Sequence, residues 1–176
     1  IKGYENVFGL WNGLRQTAPQ TVSFNGDSNI QGTRDVAGLL NVAVKIGGVK
    51  DNFVFDTGAG LSTISVSTAK KLGLNVIEAD VSVGSATDIN VKSKLAVAPV
   101  LKLGKATIRN VVFLVLEDKA LSFPQAKYEI HGIIGFPVIH ALGKVSLDKN
   151  NRVSIMAKSV KTKAEPNLAL QGLTPI

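Results

Sequence analysis

The sequence predicts a mainly β protein with a closed or semi-closed architecture, and three observations favour that fold class. Short stretches of alternating apolar and polar residues recur, turn signals separate them, and few stretches have helical periodicity. With 176 residues, 45% of them hydrophobic and 19% charged, the chain is expected to form one folded domain with one core. The longest apolar run, 111–116, is far shorter than the roughly 18 residues of a membrane-spanning helix. No membrane span is therefore expected.

Both ends of the chain are expected to lie outside the main domain. Apolar residues near helical spacing predict a short amphipathic helix over 4–14, which can cover a cleft, pack on the domain or lead to another domain. Residues 17–34 are rich in Gln, Asn, Gly, Ser and Thr, which predicts an irregular lead-in with a candidate strand at 21–24. The polar stretch 158–176 is expected to be a C-terminal tail. The predicted organisation is thus a lead-in over 1–34, a domain over 35–157 and a tail.

Strand signals dominate the predicted domain. Alternation over 40–46, the Gly47-Gly48 pair and the apolar stretch 53–55 predict a β-hairpin that ends at Asp56. The same criteria predict further strands at 61–66, 80–83, 89–97, 107–116, 144–147 and 152–155.

Two short helices complete the predicted domain. Ser67 is a suitable N-cap for a helix over 68–72 that ends at Gly73. Pro137 suits the first turn of a second helix, which runs to residue 142 and ends at Gly143.

Composition excludes several kinds of site. The chain has no cysteine, so disulfides, thiol nucleophiles and thiolate zinc sites are excluded, and its two histidines, His131 and His140, lack metal-binding spacing. We expect no metal and no cofactor. The net charge of +7 comes from lysines and arginines that are scattered rather than interleaved with aromatics, which favours a solvated surface over nucleic-acid binding.

The informative segment is Phe-Val-Phe-Asp-Thr-Gly-Ala-Gly at 53–60. It places Asp56 directly after an apolar strand and at the start of a glycine-containing turn. As an ordinary turn residue, Asp56 would accept hydrogen bonds from nearby backbone N–H groups. A second element, Ile-His-Gly-Ile-Ile-Gly, covers 130–135 and precedes the helix predicted from Pro137.

Together these two segments resemble the aspartic proteases of the retropepsin-like branch, in their bacterial type, over roughly residues 35–156. The resemblance implies a closed β-barrel of the acid protease type with one or two short helices. It also implies an aspartic endopeptidase that hydrolyses extended polypeptides. Because Asp56 begins the only Asp-Thr-Gly triplet in the chain, an active site would require a homodimer with two Asp56 carboxylates.

The same resemblance assigns roles to further residues. Asp56 would be the general acid and base, supported by Thr57 and Gly58, with Ala59 contacting substrate. A hairpin with its tip at Gly84, Ser85, Ala86 and Thr87 would form a flap over the substrate. Ile133, Ile134 and Gly135 would support the catalytic loop.

One departure from the family and one alternative remain. Viral relatives usually continue with a basic residue after the glycine, whereas Phe136 follows here, so the dimer interface is expected to differ. The alternative is a non-catalytic β-barrel that serves as a binding or assembly module. For localisation, the flanks favour the bacterial periplasm or cell envelope after removal of a targeting segment.

Overall fold

The computed structural model describes residues 4–84 and 90–157. Within them the helices are α1 (Tyr4–Leu14), α2 (Val66–Lys71) and α3 (Phe136–Ala141), and two short 3-10 turns lie at Asp118–Ala120 and Pro124–Ala126. The strands are β1 (Thr21–Phe24), β2 (Ser28–Gln31), β3 (Thr33–Arg34), β4 (Leu40–Ile46), β5 (Val49–Phe55), β6 (Ser62–Ser65), β7 (Val76–Gly84), β8 (Asn90–Leu103), β9 (Ala106–Leu116), β10 (Ser122–Phe123), β11 (Tyr128–Glu129), β12 (Gly132–Ile134), β13 (Lys144–Leu147) and β14 (Arg152–Met156).

Six strands close into a barrel. They pair in the order β9, β6, β12, β5, β4 and β8, and β8 pairs with β9 to complete the ring. The alternating pattern predicted for β4 is observed, since Leu40, Val42, Val44 and Ile46 are buried. Phe53 and Phe113 meet edge to face inside the barrel, with ring centroids 6.1 Å apart. Closure leaves these six strands without long open edges, as predicted for the fold class.

The lead-in is more regular than its composition predicts. β1 pairs with β9 on the barrel, and β3 pairs with β4. β2 joins β14 and β13 in a separate three-stranded sheet. Polar residues form strands here because barrel and hairpin edges offer backbone partners, which composition does not reveal.

Of the three positions considered for the N-terminal helix, the structure shows packing on the barrel. Leu10 and Leu14 of α1 pack against Leu95 and Leu114 on the outer face of β8 and β9. On the other side of α1, Phe8 and Trp11 are 73% and 72% exposed.

The two short helices lie close to their predicted positions, but the N-cap residue predicted for the first of them was wrong. α2 is capped by Ser65, whose Oγ accepts a hydrogen bond from the Thr68 N–H at 3.1 Å, and not by Ser67. The Ser67 N–H instead donates to Asp118 Oδ1 at 2.9 Å. Gly73 and Gly143 follow the two helices with φ of +66° and +72°, in agreement with the predicted helix ends.

Candidate active site

Asp56 lies at the start of the loop that joins β5 to β6. Phe53, Val54 and Phe55 before it are buried in the barrel, Asp56 is half-buried, and Thr57 and Gly58 are exposed. The Gly58 N–H donates to Asp56 Oδ1 at 2.8 Å. This bond both closes the turn and leaves the second carboxylate oxygen, Oδ2, available for other partners.

The strand β12 fixes the position of this loop. It lies between the two strands that flank the loop, parallel to β5 and antiparallel to β6. Ile133 and Ile134 pair with Val54 and Phe55, and the Asp56 N–H donates to the Ile134 carbonyl oxygen at 3.0 Å. The two segments picked out from the sequence are therefore in direct contact.

Gly135 continues the contact on the far side of the loop. Its N–H donates to Ser62 Oγ at 3.0 Å, and the N–H of Phe136 donates to the Ala59 carbonyl oxygen at 2.8 Å. A Cβ at Gly135 would lie 2.6 Å from the backbone of Leu61, so only glycine fits without a backbone shift. Ser62 is itself buried, so its hydroxyl supports the loop from inside the protein.

A cavity of about 390 Å³ opens beside Asp56 and Thr57. Apart from these two residues its walls are mostly apolar and come from β3, β4, β5, α3, β13 and the turn before β4: Arg34, Gly38, Leu39, Leu40, Val54, Phe55, Ile139, Val145 and Leu147. Sequence reasoning missed most of these residues because they lie far from Asp56 along the chain. The alternation in β13 and the apolar face of α3 were the available signals.

Of the predicted flap tip, the structure describes only the first residue, Gly84. Gly84 ends β7, which pairs with β8 in an antiparallel hairpin. Ser85, Ala86 and Thr87 lie outside the described residues.

An ion-pair cluster joins β5 to the end of α2 and to the residue that precedes β12. Asp51 in β5 is bonded to His131 Nδ1 at 2.7 Å and to Lys71 Nζ at 3.0 Å. Burial raises the pKa of Asp51, but the hydrogen bonds from His131 and Lys71 outweigh burial and hold the pKa below its usual value. His131 thus has a structural partner.

The described ranges contain neither a metal-binding cluster nor a membrane-spanning helix. Across residues 4–84 and 90–157, no three His, Asp or Glu side chains lie together as a metal site would require. In the same part of the chain no helix has the length and apolar character to cross a membrane.

Comparisons with known proteins agree with this geometry. A family model described as aspartyl protease matches residues 42–138, which include both the Asp56 loop and β12. A crystal structure of a retropepsin-like aspartic protease from Rickettsia conorii is similar over 79% of this chain and 96% of that chain, with a TM-score of 0.53 and 19% identity. This similarity confirms the fold implied by the sequence.

A second structure is less similar. The retroviral protease-like domain of Ddi1 from Leishmania major is 19% identical and aligns over 65% of this chain and 90% of that chain, with a TM-score of 0.40. The comparison with curated proteins gives no match.

Proposed function

Because the chain belongs to the aspartyl protease family, we propose that it is an aspartic endopeptidase whose active site forms from two copies of Asp56 in a homodimer. The observation that carries the proposal is the placement of Asp56. Its backbone is held by Ile134, its Oδ1 by the Gly58 N–H, and its loop is open to solvent. A carboxylate oriented in this way is suited to proton transfer.

A single carboxylate does not provide the whole reaction. Two carboxylates about 3 Å apart cannot both ionise, so the pair holds one proton, as is general for aspartic protease dyads. The ionised member takes a proton from a water molecule while the water oxygen bonds to the peptide carbonyl carbon. The protonated member donates to the carbonyl oxygen as it becomes tetrahedral.

The second half of the reaction returns the protons. The C–N bond breaks as the protonated member of the dyad donates its proton to the amine nitrogen, while the ionised member takes a proton from a hydroxyl group of the tetrahedral intermediate. The products are a free carboxyl group and a free amine. One water is consumed, and the dyad again holds one proton.

The surface around the loop offers an interface for the second copy. β13 is an edge strand of the three-stranded sheet in the described part of the chain, and an edge strand can pair with its own copy across a two-fold axis. Leu147 on β13 and Leu39 on the turn before β4 are 52% and 37% exposed, and both line the cavity beside Asp56. Burial of these side chains would bring the two loops together.

The remaining predicted roles complete the proposal. We infer that the Thr57 hydroxyl bonds across the dimer axis and that Ala59 lies against the substrate backbone. The β7–β8 hairpin, with its tip at 84–87, would cover an extended peptide and exclude water.

Substitution of the acid tests the activity. We expect Asp56→Asn to abolish cleavage of oxidised insulin B chain, an unstructured peptide, as detected by mass spectrometry. Asp118→Asn is the matched control, because Asp118 is also an aspartate that accepts a backbone N–H bond, from Ser67 at 2.9 Å. Equal cleavage by wild type and Asp56→Asn would refute the proposal.

Sedimentation tests the dimer. Leu147→Asp places two charges in the proposed interface and is expected to give inactive monomers, whereas Val76→Asp, at a residue that is 40% exposed on β7, should remain dimeric. A wild-type protein that stays monomeric at high concentration and does not bind a hydroxyl-containing peptide inhibitor would instead indicate a binding or assembly module.

A further inference from the structure

The side chain of Asp35 organises the turn that leads into β4. Its Oδ1 accepts hydrogen bonds from the N–H groups of Ala37 and Leu39, each at 2.9 Å. Its Oδ2 accepts one from Asn41 Nδ2 at 2.7 Å and one from the Tyr128 hydroxyl. Four donors therefore converge on one carboxylate.

This turn forms a wall of the cavity beside Asp56. Gly38 and Leu39 both line the cavity. Asn41, which is bonded to Asp35, pairs with Val54 in the β4–β5 ladder, and Val54 lies in the same cavity two residues before Asp56. A shift of Asp35 would therefore move one side of the cavity relative to the catalytic loop.

Tyr128 joins a separate part of the chain to this turn. It lies on the hairpin of β10 and β11, opposite Phe123, and the two rings stack with centroids 6.0 Å apart. The hydroxyl bond to Asp35 spans 93 residues of sequence. It joins the β10–β11 hairpin, where Phe123 is 46% exposed, to the turn beside the cavity.

The protonation states of the two groups suit this bond. Burial and the hydrogen bond to Asp35 raise the pKa of Tyr128 to about 12. Burial raises the pKa of Asp35, but its hydrogen bonds, above all that from Tyr128, outweigh burial and lower it. A protonated phenol therefore donates to an ionised carboxylate through the neutral and mildly acidic range, and such charge-assisted bonds are the stronger kind.

We propose that the Tyr128–Asp35 hydrogen bond makes both residues positioning residues for peptide binding, because it anchors the 35–39 turn, which forms one wall of the substrate cleft beside Asp56, to the β10–β11 hairpin behind it. The inference rests on the proposed peptidase function. It gives a role in substrate affinity to Tyr128, a residue outside the Asp56 loop.

Tyr128→Phe tests the bond because it removes the hydroxyl and keeps the ring that stacks on Phe123. We expect KM for oxidised insulin B chain to rise about threefold to tenfold, the range for the net contribution of one typical hydrogen bond, with kcat little changed. Asp35→Asn should also raise KM. Ser154→Ala is the control, because it removes a surface hydroxyl bonded to Asn29 Oδ1 at 2.7 Å and should leave both constants unchanged.

Binding of the same peptide separates this inference from the proposed function. Fluorescence anisotropy measures this binding in proteins that carry Asp56→Asn. In that background Tyr128→Phe should weaken peptide binding by the same factor by which it raises KM. If Tyr128→Phe weakens binding but wild type does not cleave the peptide, the positioning role is supported and the peptidase function is refuted. A Tyr128→Phe protein that is less stable but binds and cleaves normally would overturn the positioning role alone, and absence of any peptide binding would overturn both.

Discussion

The backbone N–H of Asp56 donates to the carbonyl oxygen of Ile134 at 3.0 Å, so the acid is attached to a strand that follows it by more than seventy residues. The bond extends the parallel β5–β12 ladder by one step, to the point where β5 ends. The carboxylate therefore takes its position from the barrel and not from the loop alone. Changes in the contacts of β12 should consequently affect the stability of the site.

Gly135→Ala should destabilise the protein. The added Cβ would lie 2.6 Å from the Leu61 backbone and 2.8 Å from the Ser62 nitrogen, and backbone cannot move aside as a side chain can. We expect the free energy of unfolding in urea to fall by about 1–3 kcal/mol. Gly60→Ala is the control in the same loop, because its Cβ would meet nothing within 4 Å. Equal losses for the two variants would contradict the steric argument.

Ser62→Ala should also be costly, for a different reason. The Ser62 side chain is 1% exposed, and its removal leaves the buried Gly135 N–H without its acceptor. Loss of an acceptor from a buried donor costs about 1–3 kcal/mol, which chemical denaturation can measure. Ser154→Ala, at a hydroxyl bonded near the surface, should stay within about 0.5 kcal/mol of wild type. A Ser62→Ala protein as stable as Ser154→Ala would show that the bond is dispensable.

Local signals account for what the sequence predicted well. The β4–β5 hairpin follows from alternation around Gly47-Gly48, and the ends of α2 and α3 follow from Gly73 and Gly143. The pairing of β12 beside the Asp56 loop was implied by the family resemblance, because neither segment alone specifies its partner. The fold class and the contact between β12 and the Asp56 loop were thus within reach of sequence reasoning.

Relations between distant residues were not within reach. The bond from Tyr128 to Asp35 and the placement of Leu147 beside Asp56 depend on how the closed barrel brings separate turns together. Strand β2 has little hydrophobic alternation, yet it forms because β14 offers it an edge. Such contacts are set by tertiary structure, and β-propensity depends strongly on that context.

The position of the α2 cap provides a direct test of one sequence-based error. Ser65 accepts the Thr68 N–H bond, so Ser65→Ala should lower the free energy of unfolding by about 1 kcal/mol. Ser67→Ala keeps the bond from the Ser67 backbone N–H to Asp118 and should change stability by less than about 0.5 kcal/mol. Thermal unfolding of the two variants side by side measures the difference. The reverse order would restore Ser67 as the cap.

The Asp51 cluster predicts a pH dependence of stability. The Asp51 carboxylate is 7% exposed, and its pKa is lowered because the hydrogen bonds from His131 and Lys71 outweigh the effect of burial. A pKa that is lower in the folded state stabilises the protein fully above the unfolded value of about 3.9, and this contribution is lost as the pH falls through the folded value. At neutral pH the free energy of unfolding of wild type should therefore exceed that of Asp51→Asn by about 1–2 kcal/mol.

Below about pH 4 the difference between wild type and Asp51→Asn should shrink, because protonated Asp51 no longer forms charged pairs. Urea unfolding at several pH values measures this change. Asp27→Asn is the control, since Asp27 is an exposed aspartate that accepts a backbone bond from Ala157 at 2.8 Å. If the stability lost in Asp51→Asn stays constant from neutral to acidic pH, shape and packing at residue 51, and not its charge, connect β5 to the start of β12.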